Sequence, residues 1–149
     1  MSAVIIRPAQ PEDAADIAVL TVELGYDASR EQMHSRLLWL QSTHGHWVGV
    51  AEQGGAPLLG WVHVAHRFTL EEGASAEILG LVIGASARRL GVGTALVDAA
   101  EHWSRQLGIA TIKVRSNSAR SESHLFYPAL GYARTKSQHV YAKGLRTDP

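Results

Sequence analysis

The chain has 149 residues, nearly half of them apolar, with 14 basic and 14 acidic side chains and no cysteine. That length suits one domain with one core, needing no disulfide or metal staple. Zero net charge argues against a non-specific nucleic-acid binder, no apolar run reaches the roughly 20 residues of a membrane span, and the lack of cysteine excludes disulfides and zinc–thiolate sites.

Residues 4–9 read as a short strand; the N-terminus runs quickly into Arg7, Pro8 and an acidic stretch at 12–16 and does not look like a signal peptide, so the cytoplasm is the expected location. Residues 11–24 read as a helix, with Ile17, Leu20, Thr21 and Leu24 on one face and Gly25 as the stop. Ser29-Arg30-Glu31-Gln32 fits a capping box and predicts a second helix with Met33, Leu37 and Leu40 on its apolar face. Residues 47–51 and 58–68 read as strands joined by a turn at Gly54-Gly55. Residues 71–75 read as a polar loop and 76–83 as another strand. Residues 93–107 give the clearest helical period, through Leu96, Ala100, Trp103 and Leu107, with Gly108 closing it. A strand over 109–115, a short helix over 121–130 and a last strand over 138–143 complete the order β-α-α-β-β-β-α-β-α-β. Consecutive strands mid-chain predict antiparallel pairing, and the strand–helix–strand unit from 76 to 115 predicts a right-handed parallel crossover. One α/β (α+β) domain over 1–149 with a mixed sheet follows.

Charge is divided unevenly along the chain. Before Arg88 there are four basic and ten acidic side chains; from Arg88 onward there are ten and four. One reading is a solvated surface. The other is a bipartite site, with an anion held by the second half and a cation met by the first.

Arg88-Arg89-Leu90-Gly91-Val92-Gly93 stands between a predicted strand and a strong helix. Backbone N–H groups at a helix start lack internal partners, and the helix dipole adds partial positive charge. Glycines let a phosphate approach the backbone, and arginines add forked donors. Phosphate binding suits the arrangement; the competing reading is a tight strand-to-helix turn with exposed arginines. A P-loop would need Lys and Ser/Thr after the glycine, where Thr94-Ala95 stand. The dinucleotide fingerprint would need a small residue at Leu96 and an acidic one near Thr111.

Leu81-Val82-Ile83 followed by Arg88-x-x-Gly91-x-Gly93 resembles the acetyl-CoA motif of the GNAT superfamily of N-acetyltransferases. The resemblance runs from about residue 5 to 145 and includes Asn117 and Phe126-Tyr127-x-x-Leu130-Gly131-Tyr132. It implies a mostly antiparallel sheet of six to seven strands flanked by four helices, and acetyl-CoA as co-substrate without a metal. By that resemblance, backbone groups of Leu81, Val82 and Ile83 meet the pantetheine arm, and an N–H near Val82 or Ile83 is the oxyanion donor. Arg88, Arg89, Leu90, Gly91, Val92, Gly93 and Thr94 form the diphosphate loop, and Asn117 hydrogen-bonds the pantetheine. Three departures from the family pattern stand out. Gly84-Ala85 replaces a frequent Asp-Pro, Arg89 replaces a frequent glycine, and Pro128 follows Tyr127 inside a predicted helix, where it removes a backbone bond.

The implied reaction is attack of an amine on a thioester carbonyl. An alkylamine with a pKa near 10.4 costs about 4.6 kcal/mol to hold neutral at pH 7, so a base is useful. Glu77 is the candidate base: Ala76-Glu77-Ile78 resembles the base-bearing position of the family's histone-acetylating branch, and a mostly apolar strand would raise its pKa. The competing reading is a solvent-facing strand glutamate. Tyr127 is the candidate acid for the departing thiolate, against a core aromatic beside Phe126. His44-x-His46 and His63-x-x-His66 lack metal-ligand spacing, and strand alternation sends His63 and His66 to opposite faces, so no metal site is expected.

The implied acceptor cleft is built by residues 24–29 and 67–75. They and their neighbours supply Glu23, Asp27, Glu71 and Glu72, with Tyr26 and Phe68, and the acidic excess points to a small cationic amine. No nucleic acid or membrane partner is expected, and family members often dimerise. A non-catalytic acetyl-CoA sensor and a nucleotide-binding oxidoreductase are the alternatives; amine turnover and a comparison of acetyl-CoA with NAD and ATP separate them.

Overall fold

Among the described residues, five strands form one sheet in the spatial order of the sequence. In the computed structural model, which describes residues 3–115 and 121–146, these are β1 (Val4–Pro8), β2 (His46–Gln53), β3 (Gly60–Thr69), β4 (Gly73–Ile83) and β5 (Ile112–Val114). The first four pair antiparallel in turn, and β4 pairs with β5 in parallel. Short connections give antiparallel neighbours, whereas the parallel pair needs a crossover, here the helix α3 (Val92–Gln106).

Two further helices precede β2. A 3-10 turn at Pro11–Asp13 leads into α1 (Ala14–Glu23), and α2 (Arg30–Gln41) follows. The capping box at α2 is formed: Ser29 Oγ accepts from Gln32 N, and Gln32 Oε1 accepts from Ser29 N, both at 3.1 Å. Arg7 on β1 forks onto Asp13 with two 2.8 Å bonds and also reaches Glu52, and its guanidinium holds the Asp13 carboxyl below the usual range.

The sheet is covered on both faces. Ile17, Leu20 and Leu37 from α1 and α2 bury against Val50 and Val82, with Trp61 packed alongside. Strand alternation turns Val62 and Val64 the other way, where α3 buries Leu96, Val97 and Ala100. Full burial of a side chain such as Leu96 contributes about 1.5–3 kcal/mol.

The structure corrects three expectations. β4 begins at Gly73, so part of the expected polar loop at 71–75 is strand, and the hairpin turn is confined to Leu70, Glu71 and Glu72. β5 is short, holding only the three residues that find a ladder on β4. The expected strand at 138–143 is not formed, so the described residues give five strands, not six to seven. A strand persists where its N–H and C=O groups have ladder partners. Residues 133–146 have none among the described residues, and Val140 and Tyr141 stay exposed.

By contact density the chain falls into two units, Met1–Arg115 and Ser116–Pro149. In the second, α4 (Ser121–Ala129) carries Pro128 in its last turn and stops just beyond it. Tyr132 N bonds Tyr127 O, Gly131 N bonds Pro128 O, and Gly131 has φ 93°, which is a Schellman ending.

Candidate active site

The loop between β4 and α3 is built almost wholly from backbone. After Gly84 comes a 3-10 turn at Ala85–Ala87, then Arg88 in an extended conformation. Arg89 and Gly91 both take left-handed backbone angles, φ 68° and 76°. The first helical bond of α3 is Ala95 N to Gly91 O, 3.0 Å. The N–H groups of Arg89, Gly91, Val92, Gly93 and Thr94 find no acceptor among the described residues, as a helix start leaves them. Arg88 and Arg89 are exposed beside them and form no ion pair among the described residues. At the loop's entry, Glu23 Oε1 accepts from Ala85 N at 2.6 Å, and Gly84 N donates to Leu59 O at 2.8 Å. The loop is thus pinned where it leaves the sheet, and its donors face outward. A left-handed arginine costs on the order of 1 kcal/mol.

Beside the loop, part of the β4 edge has no ladder partner among the described residues. Its ladder to β5 ends at Ile78 opposite Val114. On its other side β4 stays paired with β3 to Ile83, but with a bulge: His63 faces Gly80 and Val64 faces Ile78, which leaves Leu79 extra. From Leu79 to Ile83 the edge away from β3 has no ladder partner among the described residues. Val82 meanwhile buries its side chain in the core, so Leu81, Val82 and Ile83 can offer main-chain groups while their side chains hold the sheet. Gly80 is forced by packing: a Cβ there would lie 2.7 Å from the Trp61 indole. That indole donates to Thr21 Oγ1 at 3.2 Å, which fixes it over the bulge.

Glu77 lies just before the bulge. It is buried, 7% exposed, which removes the solvent-facing reading. Register places it opposite Ala65 on β3 and Lys113 on β5, on the sheet face that carries Trp61 and His63. Two guanidiniums flank its carboxylate: Arg115 Nε at 3.5 Å and Arg67 Nη1 at 4.0 Å. On the same face His46 Nδ1 and His63 Nε2 meet at 3.0 Å, with the Trp39 ring edge-on to His46. Burial, with a smaller contribution from His46, pushes His63 down to about 4, so it is neutral at pH 7.

Of the carboxylates assigned to the acceptor side, Glu23 holds the Ala85 N–H and Glu72 pairs with Lys113, while Asp27 and Glu71 are exposed. Tyr127 belongs to the second unit, its ring edge-on to Phe126 and Tyr132 at 5.0 and 5.8 Å. Asn117 lies outside the described residues. Sequence reasoning missed Arg67 and Arg115. The hairpin offered a signal for the first: a turn placed at 70–72 sets Thr69 opposite Gly73 and so brings Arg67 to the side of Glu77.

Comparison with known proteins gives the family and the fold. The model of the acetyltransferase (GNAT) family matches residues 15–132. The chain is 32% identical, over 97% of its length and 99% of the relative's, to aminoglycoside N(6')-acetyltransferase type 1 of Klebsiella aerogenes. Its fold is similar to that of the aminoglycoside N-acetyltransferase AAC(6')-Iy in complex with CoA, with TM-score 0.85, 18% identity and 96% of each chain covered. It is also similar to glucosamine-6-phosphate N-acetyltransferase from Arabidopsis thaliana, with TM-score 0.83, 17% identity and 94% and 98% covered.

Proposed function

This chain belongs to the acetyltransferase (GNAT) family, and we propose that it moves the acetyl group of acetyl-CoA to the primary amine of a small acceptor, acting as one cytoplasmic transferase domain. The observation that carries this reading is the cluster of N–H groups of Arg89, Gly91, Val92, Gly93 and Thr94 that find no acceptor among the described residues, with the Arg88 and Arg89 side chains beside them, next to the stretch of β4 that has no ladder partner there. A diphosphate accepts from such donors, and an amide-bearing arm adds to an open strand edge as another strand would. The CoA-bound neighbour supports the choice of ligand. Leu81, Val82 and Ile83 are assigned to the pantetheine arm, residues 88–94 to the diphosphate, and Asn117 to the pantetheine on the strength of the family resemblance.

The amine nitrogen attacks the thioester carbon, and the C=O electron pair moves to oxygen. A main-chain N–H near Val82 or Ile83 is assigned to that oxyanion. Because the acceptor is an ammonium in water, one proton passes to the Glu77 carboxylate before attack, directly or through a water, and a second leaves the nitrogen to water once the C–N bond has formed. The C–S bond then breaks, and the thiolate takes a proton from the Tyr127 hydroxyl. The acceptor class is a compact amine that is cationic in water, such as an aminosugar, a polyamine or a peptide terminus. The name of the Klebsiella aerogenes relative favours the first of these. Free-thiol release from acetyl-CoA across a panel of such amines is the test. Binding of acetyl-CoA without turnover of any of them would leave a cofactor-binding module instead.

A further inference from the structure

The surroundings of Glu77 do not suit an acceptor that is only a cation. Three positive side chains, Arg67, Lys113 and Arg115, stand at this end of β3, β4 and β5 against two carboxylates, Glu72 and Glu77. The closest approaches of the two guanidiniums to Glu77, 3.5 and 4.0 Å, are longer than a good hydrogen bond. Their side chains are 48% and 63% exposed, while that of Glu77 is 10% exposed. Neither arginine has another partner among the described residues. A guanidinium carries five N–H donors in a planar fork, so most of the donors of both arginines remain turned to solvent around one buried carboxylate.

The place matters as much as the charge. Glu77 is one residue before Ile78, the last residue of β4 paired with β5, and the proposed cofactor edge begins at the next residue. We propose that Arg67 and Arg115 are specificity-determining residues that hold an oxyanion of the acceptor, so that the preferred substrate is an amine that also carries a phosphate, sulfate or carboxylate. This rests on the transferase reading and narrows its substrate class. The acceptor's ammonium would meet Glu77 while its oxyanion takes the outward donors of the arginines. A polycation without an anion would meet the guanidiniums uncompensated.

The test uses acceptors that share an amine and differ in the anion: glucosamine against glucosamine 6-phosphate, and an amino-acid methyl ester against the free amino acid. Free-thiol release should give the anionic member of at least one pair a kcat/KM about 10- to 100-fold higher, the worth of one or two charge-assisted hydrogen bonds. Arg67→Gln with Arg115→Gln should level that pair by raising KM for the anionic member more than for the anion-free one. Because that variant leaves Glu77 buried without its cations, Arg67→Lys with Arg115→Lys serves as the folded control. It keeps the charge, loses the fork, and should lose part of the preference. Anion-free members that are equal or better in both pairs, or a preference that survives the double Gln change, overturn the proposal.

A second arm needs no turnover. Inorganic phosphate is titrated calorimetrically into a Gly91→Asp protein, whose diphosphate loop is blocked. Phosphate should bind there and fail to bind once Arg67→Gln and Arg115→Gln are added. Its absence, or its indifference to the arginines, also overturns the proposal. Phosphate binding that needs the arginines in a protein that acetylates no amine would keep the anion site and sink the transferase reading.

Discussion

The loop after β4 and the sheet face around Glu77, the two parts of the proposed site, present charge and hydrogen-bond donors in opposite ways. The loop uses peptide N–H groups and a helix start, all within eleven consecutive residues from Gly84 to Thr94. The face uses side chains brought from three strands, Arg67, Glu77 and Arg115, which only a ladder register makes neighbours. A backbone site tolerates changes of side chain and fails on changes of shape or charge at its glycines. A side-chain site behaves the other way.

The largest expected effect breaks the loop. Among the described residues nothing stands where a Cβ of residue 91 would go, so the obstacle there is its φ of 76°. Asn and Asp are the non-glycine residues that accept this region most readily. Gly91→Asn should therefore fold and bind acetyl-CoA with modest loss, whereas Gly91→Asp should remove the rise in melting temperature that acetyl-CoA gives. Equal stabilisation of both proteins by acetyl-CoA would move the diphosphate away from this loop.

The proposed proton donor is next in size. Tyr127→Phe keeps the aromatic contacts with Phe126 and Tyr132 and removes one hydroxyl. Turnover should fall on the order of 10²- to 10⁴-fold with little change in acetyl-CoA affinity. A fall of less than twofold would make Tyr127 a packing residue of α4. Glu77→Gln should cost less, because a water can still carry the amine's proton away. It should lower kcat/KM and alter its acidic limb, and a pH profile identical to wild type would assign the proton to water or another group. Glu77 is held by Arg67 and Arg115, so this change also loosens the face. Melting temperature measured alongside separates that from chemistry.

How much of this was legible follows the same division. Local signals were read well: the capping box at Ser29, the α3 stripe through Leu96 and Ala100, and Gly108 as the helix stop. The loop was legible because its parts are adjacent in the chain. The partners of Glu77 were not, because Arg67 comes to it by hairpin register and Arg115 by a parallel ladder across α3. The acidic excess before Arg88 was read as a cleft for cations, yet Glu23 caps a loop amide and Glu72 pairs with Lys113. Composition counts charges and is blind to which are already neutralised. The strand expected at 138–143 shows the same limit, since propensity cannot supply a ladder partner.

The histidine pair offers a smaller test of the face. His63 titrates near 4 when folded and near 6.5 when free. Between these values the unfolded chain takes up a proton that the folded chain refuses, so stability should fall as pH drops from about 6.5 to 4 and level off below. His63→Gln should flatten that part of the melting-temperature curve. An unchanged slope would mean that His63 is protonated in place and that the sheet face is wetter than its burial implies.

The smallest effect sharpens the comparison most. Arg89 is the one place in the loop where a side chain and an unfavourable backbone angle coincide, at φ 68°. Arg89→Gly relieves about 1 kcal/mol of strain, but it also frees the unfolded chain by a similar amount, so stability should barely move. Acetyl-CoA affinity should nevertheless fall by several-fold, because a guanidinium beside the diphosphate is lost while the N–H groups remain. Arg89→Lys keeps the angle and the charge and should lie between the two. If Arg89→Gly binds as tightly as wild type, the backbone alone holds the anion, and the contrast between a main-chain loop and a side-chain face is sharper than drawn. If it instead loses as much as Gly91→Asp, the arginine carries the loop, and the two regions work by the same means.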